Sequence, residues 1–274
     1  MVNTVIPFSG RVNFLKRTLH SLNNQTYLPT KIVIVLDGVE KPKIDFKSYV
    51  NIKPLMTIIT NSSSSGSNYA RNCGAKLCNS NFIHFLDDDD SISKNFYSEF
   101  LKFTKAHDIR KYAGFYYNAS VVSSDNLNKE MFLVNKKPRV SLKELLVDNF
   151  IGTTSSVILR RSVFEKVNGF DELFFARQDY SLWLKMSLYG LFKKIDSEKL
   201  IYTLHSSNSN SISNSNFKNH ESAIISLIHL RSKISKTKSI LYDENRSKIN
   251  DYSYLLKRST SSRGLYKIQT ILNF

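Results

Sequence analysis

Four consecutive aspartates at positions 87–90 directly follow the apolar run 82–86, which is rich in Phe and Ile. The run predicts a short buried strand, and ligands bind at the carboxyl ends of strands in open α/β sheets. Carboxylates held together repel, so the cluster lowers stability unless a positive group binds it, and a hard divalent cation takes oxygen ligands. Two interpretations are therefore open for this stretch alone. It is either a metal site that holds an anionic substrate such as a nucleotide diphosphate, or a solvated acidic turn or helix cap.

Hydrophobic periodicity predicts the elements that must position these aspartates. Continuous apolar or β-branched runs predict strands at 2–7, 31–36, 55–59, 82–86, 112–122, 154–159 and 200–204. Helical spacing predicts helices at 13–24, 68–78, 92–106, 141–147, 161–167 and 180–189, with a hairpin or loop at 125–138. Alternating strands and helices are typical of a parallel α/β sheet. The loops after the first, second and fourth strands would share one edge, which brings Pro7, Arg11 and Asp37 towards the aspartates.

Composition limits the possible classes of protein without choosing among them. The chain has 274 residues, of which 41% are hydrophobic, and a formal net charge of +16. That charge permits nucleic acid, an anionic membrane surface or an anionic substrate as partner, but no helix-turn-helix, RNA-recognition or zinc-finger pattern favours nucleic acid. No apolar run approaches the ~18–20 residues that span a bilayer, and no signal-peptide pattern is evident. Cys73 and Cys78 are expected to be reduced thiols, so we expect a cytoplasmic protein.

Four sets of motifs follow one another along the chain. They are Pro7 and Arg11 after the first strand; Gln25-Thr26-Tyr27 with Val35-Leu36-Asp37-Gly38; Ala70-Arg71-Asn72-Cys73-Gly74 with Phe85-Leu86-Asp87-Asp88-Asp89-Asp90; and Gly169-Phe170-Asp171-Glu172 with Gln178-Asp179-Tyr180-Ser181-Leu182-Trp183-Leu184. In this order and at these separations, the motifs make residues 2–212 resemble the family-2 glycosyltransferases. Each set alone is a weak signal, whereas the four together are specific.

The resemblance implies the fold and its division into parts. It implies an α/β protein with the GT-A fold, in which helices flank a Rossmann-like, mostly parallel central sheet. Residues 1–212 would form the catalytic domain, with a nucleotide-sugar-binding half at 1–110 and an acceptor-binding half at 111–212. Residues 213–274 would form a basic, mostly helical C-terminal extension.

The same resemblance assigns roles to the aspartates. Asp87 would lie towards the donor ribose, and Asp89 would bind Mn²⁺ or Mg²⁺ through the donor diphosphate, with Asp90 in support. A spacing of two residues in an extended turn puts two carboxylates on one side. The metal ion would offset the charge that develops on the departing nucleoside diphosphate. Asp88 is an extra carboxylate on the donor side, and we expect it to point to solvent.

Further donor-binding roles follow from the other motifs. Asp37 would accept a hydrogen bond from the nucleotide base, and Pro7 and Phe8 would line the base pocket through backbone and ring contacts. Arg11 and Arg71 would pair with phosphate or with the aspartates. The alternatives stay open: residues 37–38 form only a turn, and each arginine is only a surface or helix-packing cation.

Asp179 would be the general base that takes the proton of the acceptor hydroxyl. The macrodipole at the start of a helix favours its anionic form and lowers its pKa, so apolar neighbours such as Trp183 would be needed to restore basicity. Most relatives have Glu where this chain has Gln178, which we leave out of proton transfer. The alternative is that Asp179 only caps the helix.

The remaining site residues lie late in the chain. His205 follows the strand at 200–204, and the resemblance places it at the metal or the diphosphate, although a lone His is more often an ordinary core or surface residue. Gly152 and Thr153, together with Trp183, would bind the acceptor.

The sequence therefore predicts a metal-dependent inverting glycosyltransferase. It would use a UDP-linked sugar and a glycan or polyprenyl-diphosphate-linked saccharide, in O-antigen or capsule synthesis. The alternatives are a sugar nucleotidyltransferase, which would need a Gly-richer loop than residues 8–11, and a nucleotide- or nucleic-acid-binding protein without catalysis. The basic amphipathic tail fits either peripheral contact with the anionic inner face of the plasma membrane or packing on the catalytic domain.

Overall fold

The computed structural model describes residues 1–133, 137–174 and 176–205, together with Ser226, Leu227, Leu230 and Ile234. The predicted extension at 213–274 lies outside the described residues apart from these last four, which are helical. Leu227 and Ile234 are buried in the same hydrophobic cluster as Trp183. These two side chains therefore pack against the preceding part of the chain. Among the described residues, no helix has the length and apolar character needed to cross a membrane.

One mixed sheet forms the centre of the described structure. Its strands are β1 (Val2–Phe8), β2 (Lys31–Asp37), β3 (Met56–Asn61), β4 (Phe82–Phe85), β5 (Ser91–Ile92), β6 (Tyr112–Ser123), β7 (Asn126–Leu133), β8 (Arg139–Val140), β9 (Val157–Arg160) and β10 (Leu191–Leu204). Their order is β3-β2-β1-β4-β9-β6-β10-β5, with β7 on β6 and β8 on β10. The first four strands of that order are parallel, as predicted. Beyond β4 the sheet is mixed, because β9 runs antiparallel to both β4 and β6.

The helices are α1 (Val12–Asn23), α2 (Ser67–Ala75), α3 (Phe96–Ala106), α4 (Leu142–Leu145), α5 (Arg161–Lys166) and α6 (Gln178–Met186). The predicted capping box before α4 is confirmed, because the Ser141 side chain and Glu144 satisfy each other's backbone N–H groups. Each of the six helices predicted between residues 13 and 189 has its counterpart in the structure, and the α/β class is confirmed.

Hydrophobic side chains pack on both faces of the sheet. Val5 and Phe85 belong to one buried cluster, whereas Ile6 and Phe82 belong to a second. Successive side chains of a strand point to opposite faces, so a strand covered on both sides needs apolar residues at every position. This explains the continuous rather than alternating apolar run of β2 at 32–36. β1 and β4 are also buried throughout, but they include the polar side chains of Asn3, Thr4 and His84.

Several predicted boundaries are wrong. The strand expected at 154–159 begins at Val157, because residues 154–156 form a 3₁₀ turn. The helix expected from Ile92 begins at Phe96, because residues 91–92 instead pair antiparallel with β10. The strand expected at 200–204 is only the end of β10, which begins at Leu191. A register shift between Ile195 and Lys199 interrupts the pairing of β10 with β6. Such an irregularity breaks the apolar pattern and hid the first half of the strand.

Candidate active site

The aspartates and the loop after β1 meet at the carboxyl edge of the parallel strands. β1 lies between β2 and β4 in the sheet, so the residues that follow β1 and β4 are neighbours. The backbone N–H of Ser9 donates to Asp88 Oδ2 at 3.2 Å, and that of Leu86 donates to Val5 O at 3.0 Å. The structure thus brings together two of the three loops that were predicted to share this edge, those after β1 and β4.

Helix α1 holds the backbone of residues 87–90, here called the aspartate turn. Sequence reasoning missed this contact. Thr18 Oγ1 lies 2.9 Å from Asp88 O and 2.6 Å from Asp90 O. The Arg17 guanidinium donates to Asp89 O and to Thr203 Oγ1. The signal that could have found this contact is a fully buried Thr on the apolar face of an amphipathic helix.

Arg11 pairs with two of the four aspartates. Its guanidinium pairs with Asp89 and with Asp88, where Nη2 lies 2.5 Å from Oδ1. His205 Nε2 lies 2.6 Å from Asp89 Oδ2 and 3.0 Å from Arg11 Nη1. His205 and Arg11 are therefore both in the aspartate cluster, although 194 residues separate them in the chain.

The expectation that Asp88 points to solvent is wrong. Asp88 is 1% exposed. Burial raises its pKa to about 6, and the positive charge of Arg11 and the N–H of Ser9 oppose that rise. Asp88 is thus an internal partner of the loop after β1, which a count of motif positions could not reveal.

Arg71 pairs with Asp87 from the opposite side of the turn. Its Nη2 lies 2.6 Å from Asp87 Oδ1, and its guanidinium stacks 5.3 Å from the centroid of the Phe170 ring. The Arg71 side chain is 4% exposed. Such burial excludes the interpretation of Arg71 as a surface cation. The backbone N–H of Asp87 donates to Ser155 Oγ at 3.1 Å.

The aspartates fit a divalent cation. Asp87, Asp89 and Asp90 each offer a carboxylate oxygen, and these oxygens lie within 4.8 Å of one another. Asp90 Oδ2 is buried and has no hydrogen-bond partner among the described residues. Burial and the charges of Asp89 and Asp87 raise the pKa of Asp90 well above its usual value. An unpartnered carboxylate oxygen beside two others is the donor set that Mg²⁺ or Mn²⁺ prefers.

Asp37 orders the loop that leads into α2. Its two carboxylate oxygens accept from Ser65 N at 3.0 Å, Gly66 N at 2.9 Å and two loop side chains, Asn61 and Ser64, at 3.2 Å. Gly38 has a φ of +67°, and a Cβ there would lie 2.2 Å from Ser64 N, so this turn requires glycine. The predicted base contact of Asp37 stays a prediction.

Phe8 does not line an open pocket with its ring. The side chain is 1% exposed and belongs to the second hydrophobic cluster. Pro7 is also buried. The expected ring contact with a base is therefore corrected, and any ligand contact from this segment comes from its backbone.

Asp179 stands in the first turn of α6 on the other side of the site. The N–H of Tyr180 donates to its Oδ1 at 2.7 Å. Burial raises the pKa of Asp179 to about 6, against the opposing effects of that hydrogen bond and of the charges of Arg177 and Arg71. Desolvation thus outweighs this hydrogen bond and the two positive charges, as a carboxylate that accepts a proton near neutral pH requires.

The predicted acceptor residues form a backbone turn and its support. Gly152 has a φ of +100°, and its carbonyl accepts from Trp183 Nε1 at 3.2 Å. Trp183 is 0% exposed, so it supports the turn from behind and any contact with an acceptor is indirect. Thr153 Oγ1 is buried and has no hydrogen-bond partner within the described part of the chain. Ser155, which sequence reasoning missed, lies two residues further on.

Comparisons with known proteins agree with this architecture. A family model described as glycosyl transferase family 2 matches residues 4–167. An uncharacterized glycosyltransferase of Haemophilus influenzae is 24% identical over 190 residues, which are 68% of this chain and 62% of that protein. The GalNAc(5)-diNAcBac-PP-undecaprenol beta-1,3-glucosyltransferase of Campylobacter jejuni is 26% identical over 192 residues, which are 68% of this chain and 59% of that protein. The chain thus spans less than two thirds of the length of either relative.

A solved structure has the same fold. The crystal structure of S. aureus TarS 1-349 in complex with UDP-GlcNAc has a TM-score of 0.69 to this chain at 16% identity. The likeness covers 96% of this chain and 73% of that one. It confirms the predicted GT-A fold.

Proposed function

The chain belongs to glycosyl transferase family 2, and we propose that it is an inverting glycosyltransferase that moves a sugar from a UDP-linked donor to a glycan or lipid-linked saccharide. One observation carries the proposal. Asp179 is a carboxylate whose pKa is raised to about 6, and the negative charge of Asp87 contributes to that rise. Asp87 is a member of the three-carboxylate cluster, so the two groups belong to one site. Inverting transfer needs these two functions, a base for the acceptor and a charge-binding site for the leaving group.

The donor side would be formed by the aspartate turn and its two arginines. Asp89 with Asp87, Asp90 and His205 would hold Mn²⁺ or Mg²⁺, which supplies Lewis-acid stabilisation of the departing diphosphate when bound. Arg11 would turn towards diphosphate oxygens, because guanidinium groups bind phosphate with paired hydrogen bonds. Asp87 would hold the ribose, with its orientation set by Arg71 at 2.6 Å. The UDP-linked donor is supported by the TarS complex, whose title contains UDP-GlcNAc.

Asp179 would carry the proton transfer. As the acceptor oxygen attacks the anomeric carbon, Asp179 takes the proton of that hydroxyl. The bond between the anomeric carbon and the diphosphate oxygen breaks in the same displacement, so the configuration at that carbon inverts. The pKa of about 6 leaves Asp179 ionised at neutral pH while keeping it a useful base.

The acceptor would lie against Gly152 and Thr153. A lipid-linked acceptor is supported by the Campylobacter relative, whose name contains PP-undecaprenol. The product class would be a bacterial surface polysaccharide such as O-antigen or capsule. Such an acceptor would place the enzyme at the inner face of the plasma membrane, in the cytoplasm, with peripheral contact.

A panel of nucleotide sugars with Mn²⁺ tests the proposal. We expect one UDP-sugar to bind and to be hydrolysed slowly, and we expect Asp89→Ala to abolish both. Asp108→Ala is the matched control, because Asp108 is an exposed carboxylate paired only with Arg110 among its described ion pairs. If no nucleotide sugar binds, or if the two variants behave alike, the proposed function is wrong.

A further inference from the structure

We propose that residues 152–155, here called the strut segment, set the position of helix α6 relative to the aspartate turn. The two positioning residues are Ser155, at one end of the segment, and Trp183 of α6, which contacts Gly152 at the other end. The structural part of this proposal rests on contacts alone. Its catalytic consequence rests on the proposed function, because it concerns the alignment of Asp87 with Asp179.

Ser155 joins the strut segment to the aspartate turn. It is 0% exposed and lies in the 3₁₀ turn Thr154–Ser156 before β9. Its Oγ accepts the backbone N–H of Asp87 at 3.1 Å. Without this hydroxyl, a backbone donor in a largely buried site would lose its partner, which makes the contact costly to remove.

A buried polar chain anchors Ser155 to the central strands. Ser155 O lies 2.9 Å from His84 Nε2, and a carbonyl only accepts, so Nε2 carries the proton. His84 Nδ1 then accepts from the Tyr97 hydroxyl at 2.8 Å, and Tyr97 in turn accepts from Thr4 Oγ1 at 2.7 Å. Burial lowers the pKa of His84 to about 4, so this arrangement is the same throughout the physiological range. The chain links β1, β4 and α3 to the strut segment.

Trp183 joins the other end of the strut segment to α6. Its indole N–H donates to Gly152 O at 3.2 Å, and Asn149 Nδ2 donates to the same oxygen at 3.3 Å. Trp183 follows Asp179 by four residues, which places the two side chains on one side of the helix. A helix fixed at Trp183 has its rotation fixed, and that rotation sets the direction of the Asp179 carboxylate.

The strut segment therefore spans the two halves of the site. In the proposed function, Asp87 would face the donor and Asp179 would face the acceptor. In-line displacement requires the reacting atoms to be held about 3–3.5 Å apart and aligned, and a misplacement of about 1 Å costs roughly a hundredfold in rate. A connection of four residues, hydrogen-bonded at both ends, supplies that alignment.

Hydrogen exchange tests the structural part without any substrate. We expect Ser155→Ala to speed amide exchange in peptides that cover 85–90 and, through the strut segment, in peptides that cover 178–186. The matched control is Ser156→Ala, which removes a buried hydroxyl in the same turn. Among the described residues, the only hydrogen bond of that hydroxyl is local, to Thr153 O at 2.8 Å. We expect the control to leave the 178–186 peptides unchanged. Unchanged exchange at 178–186 in Ser155→Ala, or equal changes in both variants, would overturn the proposal.

A double-mutant cycle tests the catalytic consequence. Ser155→Ala and Trp183→Phe should each lower kcat for transfer roughly tenfold, the effect of one buried hydrogen bond, and Trp183→Phe should leave donor KM unchanged. Because both act through one segment, the double variant should lose much less than the product of the two factors. If the double variant loses the full product of the two single factors, or if donor KM rises while kcat is unchanged, the positioning role is wrong. If the wild-type enzyme transfers no sugar, the proposed function fails, whereas the exchange experiment still decides the structural proposal.

Discussion

At the scale of single residues, the partly buried Asp179 lies in the first turn of α6, and desolvation is the largest cause of its raised pKa. The value of about 6 predicts a specific pH dependence, because only the ionised carboxylate accepts a proton. Transfer should rise with pH through about 6 and level off above it.

Asp179→Asn should keep donor affinity and lower transfer by roughly 10²–10⁴-fold. Initial rates across pH and calorimetric titration with donor measure both. Transfer by Asp179→Asn equal to that of the wild type would remove Asp179 as the base.

The same pKa predicts a stability effect. A carboxyl whose folded-state pKa is raised stabilises the fold while protonated, and this contribution is lost as pH rises through about 6. Asn keeps an oxygen that can accept the N–H of Tyr180 and carries no charge. Asp179→Asn should therefore be more stable than the wild type at pH 8, on the order of 2 kcal/mol, and equally stable near pH 4. Urea unfolding at both pH values measures the difference, and an equal difference at the two would contradict it.

The predictable residues of the site were those in motifs. Asp87, Asp89 and Arg71 have positions fixed by spacing, and the structure brings them together. Thr18 and Ser155 were missed because a hydroxyl that bonds to a distant backbone atom leaves no pattern in the sequence. The prediction for Asp88 was wrong because alternation in an extended turn predicts only the direction of a side chain. It does not predict that the Arg11 guanidinium lies in that direction.

At the scale of elements, α2 holds the segment that leads to α6. Asn72 Nδ2 donates to Phe170 O at 2.9 Å, and Phe170 N donates back to Asn72 Oδ1 at 3.0 Å. Gly169 has a φ of +65°, and a Cβ there would lie 2.6 Å from Asn72 Oδ1. The glycine of the motif at 169–172 thus allows α2 to bind this segment closely.

Gly169→Ala should lower the free energy of unfolding by roughly 1–3 kcal/mol, through backbone strain and displacement of Asn72. Gly66→Ala is the matched control, because Gly66 has a φ of +92° and no atom lies within 4 Å of its added Cβ. The control isolates strain from steric conflict. Thermal or urea unfolding measures both variants, and an equal loss in the two would exclude the contact with Asn72 as the cause.

The elements were predicted well where one hydrophobic pattern continued along the whole element. The strand β2 is buried on both faces, and its apolar run at 32–36 is unbroken. β10 was half missed because charged residues between Ile195 and Lys199 coincide with its register shift. The short β5 was taken as a helix start, because a two-residue pairing with β10 depends on a strand more than 100 residues away, as the contact between Ser93 and Lys199 illustrates.

At the scale of the whole molecule, the folded unit includes residues beyond the predicted catalytic domain. Leu227 is 3% exposed, and it shares a cluster with the core of the acceptor half. Leu227→Ala should therefore destabilise the protein by about 2–5 kcal/mol, the cost of deleting a buried Leu side chain. Leu173→Ala, at a residue that is 82% exposed, is the control and should change little. Chemical unfolding decides, and equal stability of the two variants would place Leu227 outside the core.

The proposed mechanism is a single displacement with Asp179 as the base. It is tested most directly by measuring the anomeric configuration of the first sugar that is released when water replaces the acceptor. Proton NMR recorded during hydrolysis of a UDP-α-sugar distinguishes the two anomers before they equilibrate. We expect the β-anomer to appear first and Asp179→Asn to release neither anomer. The α-anomer as the first product would contradict inversion, and with it the role of Asp179 as the base.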